Sequence, residues 1–344
     1  MSEEVKQIKK YLIELNELGV SENEIIKIYE EKILSLKNVE LSYVFAENVK
    51  GADVKAHEKV VIESKDPEWN FYFARDVKGA DVKAHEKVVI ESKDPELNYK
   101  FARDVEGSDV KAHEKVVIES KDPERNFYFA ENVEGSDVKA LEKVVIESKD
   151  PELNYKFARD VEGSDVKAHG KVIIESKDPE LNYKFADVEG ADVKAHEKVV
   201  IESKDPEWNY YFAGCIKGAD VKAHEKVVIE SKDPEWNYMF ADVEGADVKA
   251  HEKVVIESKD PGWNRLFVDY IEGADVIAHG KVIIESKNPR QNSWFNDALR
   301  KKFEDEYKIL SRNALIVCYN FMDDVLDEMI KENNEENKSM QKRS

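Results

Sequence analysis

Hydrophobic and polar positions recur in one arrangement nine times between Gly51 and Asn296, in units of 27 or 28 residues that open at Gly51, Gly79, Gly107, Gly135, Gly163, Gly190, Gly218, Gly245 and Gly273. The unit GADVKAHEKVVIESKDPEWNFYFARDVK, Gly51 to Lys78, holds two amphipathic segments. Placed at steps of about 100°, Val54, Ala56, His57, Val60, Val61 and Ser64 share one arc, and Lys55, Glu58, Lys59 and Glu63 fall opposite. In the second segment Asn70, Phe73, Ala74 and Val77 share an arc, with Glu68, Tyr72, Arg75 and Asp76 on the other side. Asp66 is placed to cap free amides and Pro67 to occupy a first helical position, where it forfeits no hydrogen bond. Gly79 supplies the left-handed turn that ends the helix, and Asp81 caps the next one. The VVIE run also suits a short strand, but the flanking caps and lysines favour helix. A two-helix unit of this period predicts an all-α fold, a right-handed α-solenoid of stacked two-helix repeats with helical caps at both ends.

The same signals predict boundaries. Residues 1–50 read as an N-terminal helical cap with a degenerate repeat: Ser21 and Glu24 form a capping box opening a helix through about Leu36, and Leu41 to Lys50 (LSYVFAENVK) matches a second helix. The nine-repeat solenoid occupies 51–296. Residues 297–332 (WFNDALRKKFEDEYKIL and ALIVCYNFMDDVLDEMI) read as capping helices, and 333–344 as a disordered tail. Two repeats are one residue short, reading FADVEG at Phe185 to Gly190 and at Phe240 to Gly245, so the local turn is expected to change there.

Candidate chemistry is periodic rather than unique. All eight histidines (His57, His85, His113, His169, His196, His224, His251 and His279) hold one repeat position. Helices stacked about 8 to 10 Å apart cannot bring equivalent nitrogens to one zinc ion. The fourth repeat has Leu141 there, so packed, hydrogen-bonded imidazoles are expected, with a pH response in reserve. Asn70 and its eight counterparts, through Asn292, fall on the buried arc and are expected to satisfy backbone groups. Ser64 and its copies close a helix. No phosphate loop, H-E-x-x-H zinc motif or nucleophile elbow is present, so the reading assigns no catalytic residue, no metal, no cofactor and no enzymatic activity.

Charge narrows the partners. Lysine and arginine number 53 and aspartate and glutamate 74, a net charge of −21, which disfavours attraction to phosphate backbones and anionic membranes. The recurring Lys55 and Lys59 alternate with Glu58 and Glu63, as on a solvated face with internal ion pairs. Cys215 and Cys318, far apart and outside any C-x-x-C spacing, fit a reducing cytoplasm. The opening MSEEVKQIKKYLIEL lacks a signal-peptide core, and no stretch approaches the roughly 18 apolar residues of a membrane span.

The repeats differ most at the positions of Trp69 and Tyr72. These read Leu97 and Lys100, Arg125 and Tyr128, Leu153 and Lys156, Leu181 and Lys184, then Trp208 and Tyr211, Trp236 and Met239, Trp263 and Leu266. The later repeats thus turn aromatic and apolar, the composition of an interface core, although core packing explains such residues equally well. The phrase FA-D-V-x-G-A-D-V-K-A-x-E-K-V-V-I-E-S-K-D-P, over about Leu41 to Asn296, resembles a group of little-characterised helical repeat proteins scattered through bacterial and phage genomes. That resemblance implies a two-helix solenoid and carries no catalytic residue across. The expected function is a cytoplasmic protein-interaction scaffold anchored by Trp208, Tyr211, Trp236, Met239, Trp263 and Leu266. The alternative is an acidic mimic or inhibitor of phage or mobile-element type. It would present Glu63, Glu68, Glu91, Glu96, Glu119 and Glu124 to a basic nucleic-acid-binding enzyme such as a CRISPR effector.

Overall fold

A computed structural model describes residues 21–288, whose regular structure is entirely helical: 19 helices and no strand. Residues 1–20, the expected capping helices at 297–332, the tail at 333–344, Asn292 and Cys318 lie outside the described residues. The described residues divide into two compact units, one of residues 21–203 with 216–219 and one of 204–215 with 220–288, and within each they form an all-α solenoid of helix pairs.

The punctuation acts as its chemistry requires. In the first repeat the helices are Val54–Ser64 and Pro67–Asp76. Asp53 accepts from the Ala56 amide and Asp66 from the Glu68 and Trp69 amides, satisfying donors that the first turn of a helix leaves unpaired. Ser64 Oγ donates to the Val61 carbonyl at 2.6 Å and accepts from the Asp66 amide at 3.1 Å, so the serine does close the helix. The turn between the two helices is made by Lys65, which takes a left-handed conformation with φ 56°, and ten lysines, one per layer from Lys37 to Lys287, do the same. Gly79 and its eight counterparts carry the other positive-φ turn.

The closest helix pair straddles the repeat boundary: Pro67–Asp76 packs more extensively on Val82–Ser92 than on the first helix of its own repeat. Within each unit, equivalent helices of successive repeats also touch. Phe73 and its seven counterparts through Phe267 are completely buried, as are Val61, Val89, Val117 and Val145. Burying one such phenylalanine contributes about 1.5 to 3 kcal/mol, so each layer is fastened mainly by one aromatic ring and one branched aliphatic. The segment before Gly51 is a repeat in structure: Glu22–Leu36 and Val39–Asn48 take the places of a first and a second helix, with Ser21 and Glu24 in the expected capping box. At the two short repeats the second helix stops early, at Ala186 and Phe240. The capping residues there, Asp187 and Ala241, are helical where Val77 is extended, so the turn changes as expected.

Two placements differ from the single-helix reading. Glu58 and its counterparts are not on the polar side with Lys55 and Glu63 but are 4–6% exposed, because they face the next repeat rather than solvent. Tyr72 is half-buried instead of outward, its ring 6.2 Å from Tyr43 of the preceding layer and 5.9 Å from Trp69. Among the described residues no helix is long and apolar enough to cross a membrane.

Candidate interaction surface

Behind the surface lies a ladder of buried polar groups that holds each layer to the next. Asn70 Nδ2 donates to the carbonyls of Val61 (3.0 Å) and Asp66 (2.7 Å), joining the two helices of one repeat. With the amide nitrogen so committed, its Oδ1 faces His85 Nδ1 at 2.7 Å, and the imidazole must donate there. This leaves Nε2 as the protonatable nitrogen, 3.5 Å from Glu58 Oε1 of the preceding repeat. That carboxylate also accepts the Asp81 amide of the following repeat and, through Oε2, Lys55 Nζ at 2.8 Å. The imidazole lies 4.9 Å from the Phe73 ring. The arrangement recurs at His113, His251 and His279, and at His169 without the lysine. Burial pushes His85, His169, His196 and His251 down to about 4, against the pull of neighbouring carboxylates such as Glu58 beside His85. At His57 the asparagine is replaced by Ser42 and neither ring nitrogen is hydrogen-bonded. At Leu141 the missing imidazole leaves Asn126 Oδ1 without a partner. The row is structural fastening, and among the described residues no group of three or more histidine, cysteine or acidic side chains is arranged to hold a metal ion.

On the outer side of the second helices runs the variable row. Trp208 stands 5.6 Å from Tyr211; Trp236 stands 5.7 Å from Tyr210 and 6.1 Å from Tyr211; Trp263 stands 5.7 Å from Tyr238. The two later tryptophans also cover core: Trp236 packs on Ala213, Val228 and Phe240, and Trp263 on Ala241, Val255 and Phe267. Trp208, Tyr211, Trp236, Trp263 and Leu266 are half-buried, while Met239 is 36% exposed. With Met239 and Leu266 at the position of Tyr211, the six residues make an aromatic and apolar row along successive repeats, in which Trp236 and Trp263 rest on a tyrosine of the preceding layer. The first repeat has Trp69 and Tyr72 there, and the second to fifth repeats carry charge instead. Glu96 meets Lys100 at 3.0 Å and Arg125 at 2.7 Å, and Arg103 and Arg159 sit over the rings of Tyr99 and Tyr155 at 4.9 and 5.0 Å.

The carboxylates of the alternative acidic face are partly neutralised in place. Glu63, Glu91 and Glu119 are exposed, but each has a lysine one turn away (Lys59, Lys87 and Lys115) at 3.8 to 3.9 Å. Glu68 accepts from the Tyr72 hydroxyl at 3.3 Å, Glu96 is half-buried between its two cations, and Glu124 is exposed. The polar group that helix-by-helix reasoning missed is the Glu58 row. A signal was present, since a glutamate at this position in all but two of the nine repeats is more constancy than a solvated face requires. Comparison of the chain with protein-family models, with curated proteins and with solved structures finds no match.

Proposed function

We propose that the chain is a non-enzymatic interaction scaffold whose partner is another protein, docked on the strip formed by Trp208, Tyr211, Trp236, Met239, Trp263 and Leu266. One observation carries this reading. Around the positions of Trp69 and Tyr72 the second to fifth repeats place ion pairs such as Glu96–Arg125, whereas three successive later repeats leave half-buried tryptophan edges and an exposed methionine. Half-exposed rings already held by a neighbouring layer lose little freedom on binding, which is what makes tryptophan and tyrosine effective anchors. The reading places the protein in a reducing cytoplasm, supported by its two widely separated cysteines. Acidic mimicry, the second reading, rests on the net charge of −21, but the lysines beside Glu63, Glu91 and Glu119 weaken the anionic surface it needs.

The test is capture from the source cell's lysate with the intact chain and with Trp236→Ala, Trp263→Ala, eluting with salt. The expected outcome is a partner retained at high salt whose affinity falls about a thousandfold in the double variant, at two anchors of about 2 kcal/mol each. Helicity by circular dichroism should be retained. Unchanged affinity overturns the reading, and a basic partner released by moderate salt from both proteins favours mimicry.

A further inference from the structure

The Glu58 row is interrupted at two places in the described repeats, where the sequence reads HGKVIIES: Gly170 and Gly280 stand for glutamate. In the ninth repeat the lysine that would pair with the carboxylate is lost as well, since Ile277 replaces it. The fifth repeat keeps its lysine. Lys167 stands three residues before Gly170, in the register by which Lys55, Lys83, Lys111, Lys194, Lys222 and Lys249 bind their glutamates at 2.7 to 3.0 Å. Lys167 makes no ion pair and no hydrogen bond.

The other partners of the absent carboxylate are also in place and also unused. The amide of Asp192 is the counterpart of the Asp81, Asp109, Asp165 and Asp275 amides, each of which donates to a glutamate, and it has no acceptor. His196, 1% exposed, is held through Nδ1 by Asn182 at 2.8 Å, and its Nε2 has no partner. That nitrogen lies 3.2 Å from where a Cβ on Gly170 would sit, so it points at the gap. An ammonium, an amide and an imidazole nitrogen that converge on a carboxylate in the layers of Glu58, Glu86, Glu225 and Glu252 thus have no carboxylate between them here. A surface cavity of about 610 Å³, lined by Lys167 and Gly190 together with Lys139, Ser164, Glu142 and Asp165, adjoins the lysine. The two acids on its wall are already engaged: Asp165 caps Ala168, and Glu142 accepts the Asp165 amide.

We propose that this layer binds a small aliphatic carboxylate, formate or acetate, in place of the missing glutamate side chain, with Lys167 Nζ and the Asp192 amide as its donors and His196 against it. The size follows from the inner wall. A Cβ on Gly170 would meet Phe185 Cε1 at 3.1 Å as well as His196 Nε2, so the carboxylate end of the site has room that the Cβ end lacks. Formate and acetate fit this shape better than propionate, which reproduces the whole glutamate side chain.

The test is a titration of the intact chain with ¹³C-formate at constant ionic strength, read by the line width of the formate signal and by the thermal midpoint. Saturable broadening and a rise in midpoint are expected, chloride producing neither. Lys167→Ala should weaken binding about tenfold, the loss of one charge-assisted hydrogen bond. Gly170→Glu should abolish it by supplying the carboxylate in cis. Broadening that does not saturate, that chloride reproduces, or that Lys167→Ala leaves unchanged overturns the proposal. Should Gly170→Glu fail to fold against Phe185, Glu86→Gly puts the same question. With Lys83 and the Asp109 amide in place it should bind a second equivalent of formate, and a stoichiometry that stays at one counts against the site.

Discussion

At the scale of single residues, the buried imidazoles set how the protein responds to acid. Each described histidine is at most 1% exposed, and in the layers of His85, His169, His196 and His251 burial holds the folded-state pKa near 4, below the ordinary 6.5. The unfolded chain therefore takes up protons at higher pH than the folded one does. The corresponding stability is complete above about pH 6.5 and is lost progressively as the pH falls towards 4. Thermal midpoints measured through that window should decline, and the decline should be shallower in a variant carrying His85→Leu, His169→Leu and His251→Leu. Leu141 shows that leucine fills the site, at the cost of one unpaired asparagine oxygen.

At the scale of the helix, the left-handed lysines are an unused reserve of stability. A side chain at φ near 57° costs about 1 to 2 kcal/mol, and glycine removes that cost while adding about 0.5 to 1 kcal/mol of unfolded-state freedom. Lys121→Gly should accordingly stabilise the protein by about 0.5 kcal/mol, visible as a higher denaturation midpoint in urea. Much of this level was legible beforehand. Asp66, Pro67, Gly79 and Asp81 mark the helix ends because capping depends on a few neighbouring residues, and Phe73 and Val61 declare themselves by period. Glu58 and Tyr72 were misplaced for a physical reason: a helical wheel shows one helix against solvent. The partner of Glu58 is an amide 23 residues further on, and that of Tyr72 is a ring in the preceding layer. The candidate strip was readable as a row of aromatic substitutions, but its half-burial depends on the adjacent second helix and could not be read from any one repeat. Lys65 gave no warning, since lysine has no preference for positive φ; only the proline two residues later pointed to a sharp stop.

At the scale of the whole molecule, fastening between nearest neighbours makes stability close to a sum over layers. Excising Gly79–Glu106 joins Lys78 to Gly107 and brings Glu58 opposite the Asp109 amide in the role Glu86 had. The shortened chain should fold with near-native helicity per residue and a thermal midpoint only a few degrees lower, whereas excising half a repeat should unfold it, as circular dichroism and a melting curve would show. The direction of the carboxylate contact has a consequence of its own. Glu30 starts the series by accepting the Asp53 amide, Glu58 to Glu142 extend it layer by layer, Gly170 interrupts it, and in the second unit Glu225 accepts the Asp247 amide and Glu252 the Asp275 amide, where Gly280 with Ile277 offers no carboxylate onward. Initiation, propagation and termination are thus written into the side chains as they are in a polymerisation. Copies gained or lost between glutamate-bearing layers, as between Glu58 and Glu142, keep every link, while a copy added after Gly280 begins unlinked, so evolution can vary the length of the array from within more readily than from its end.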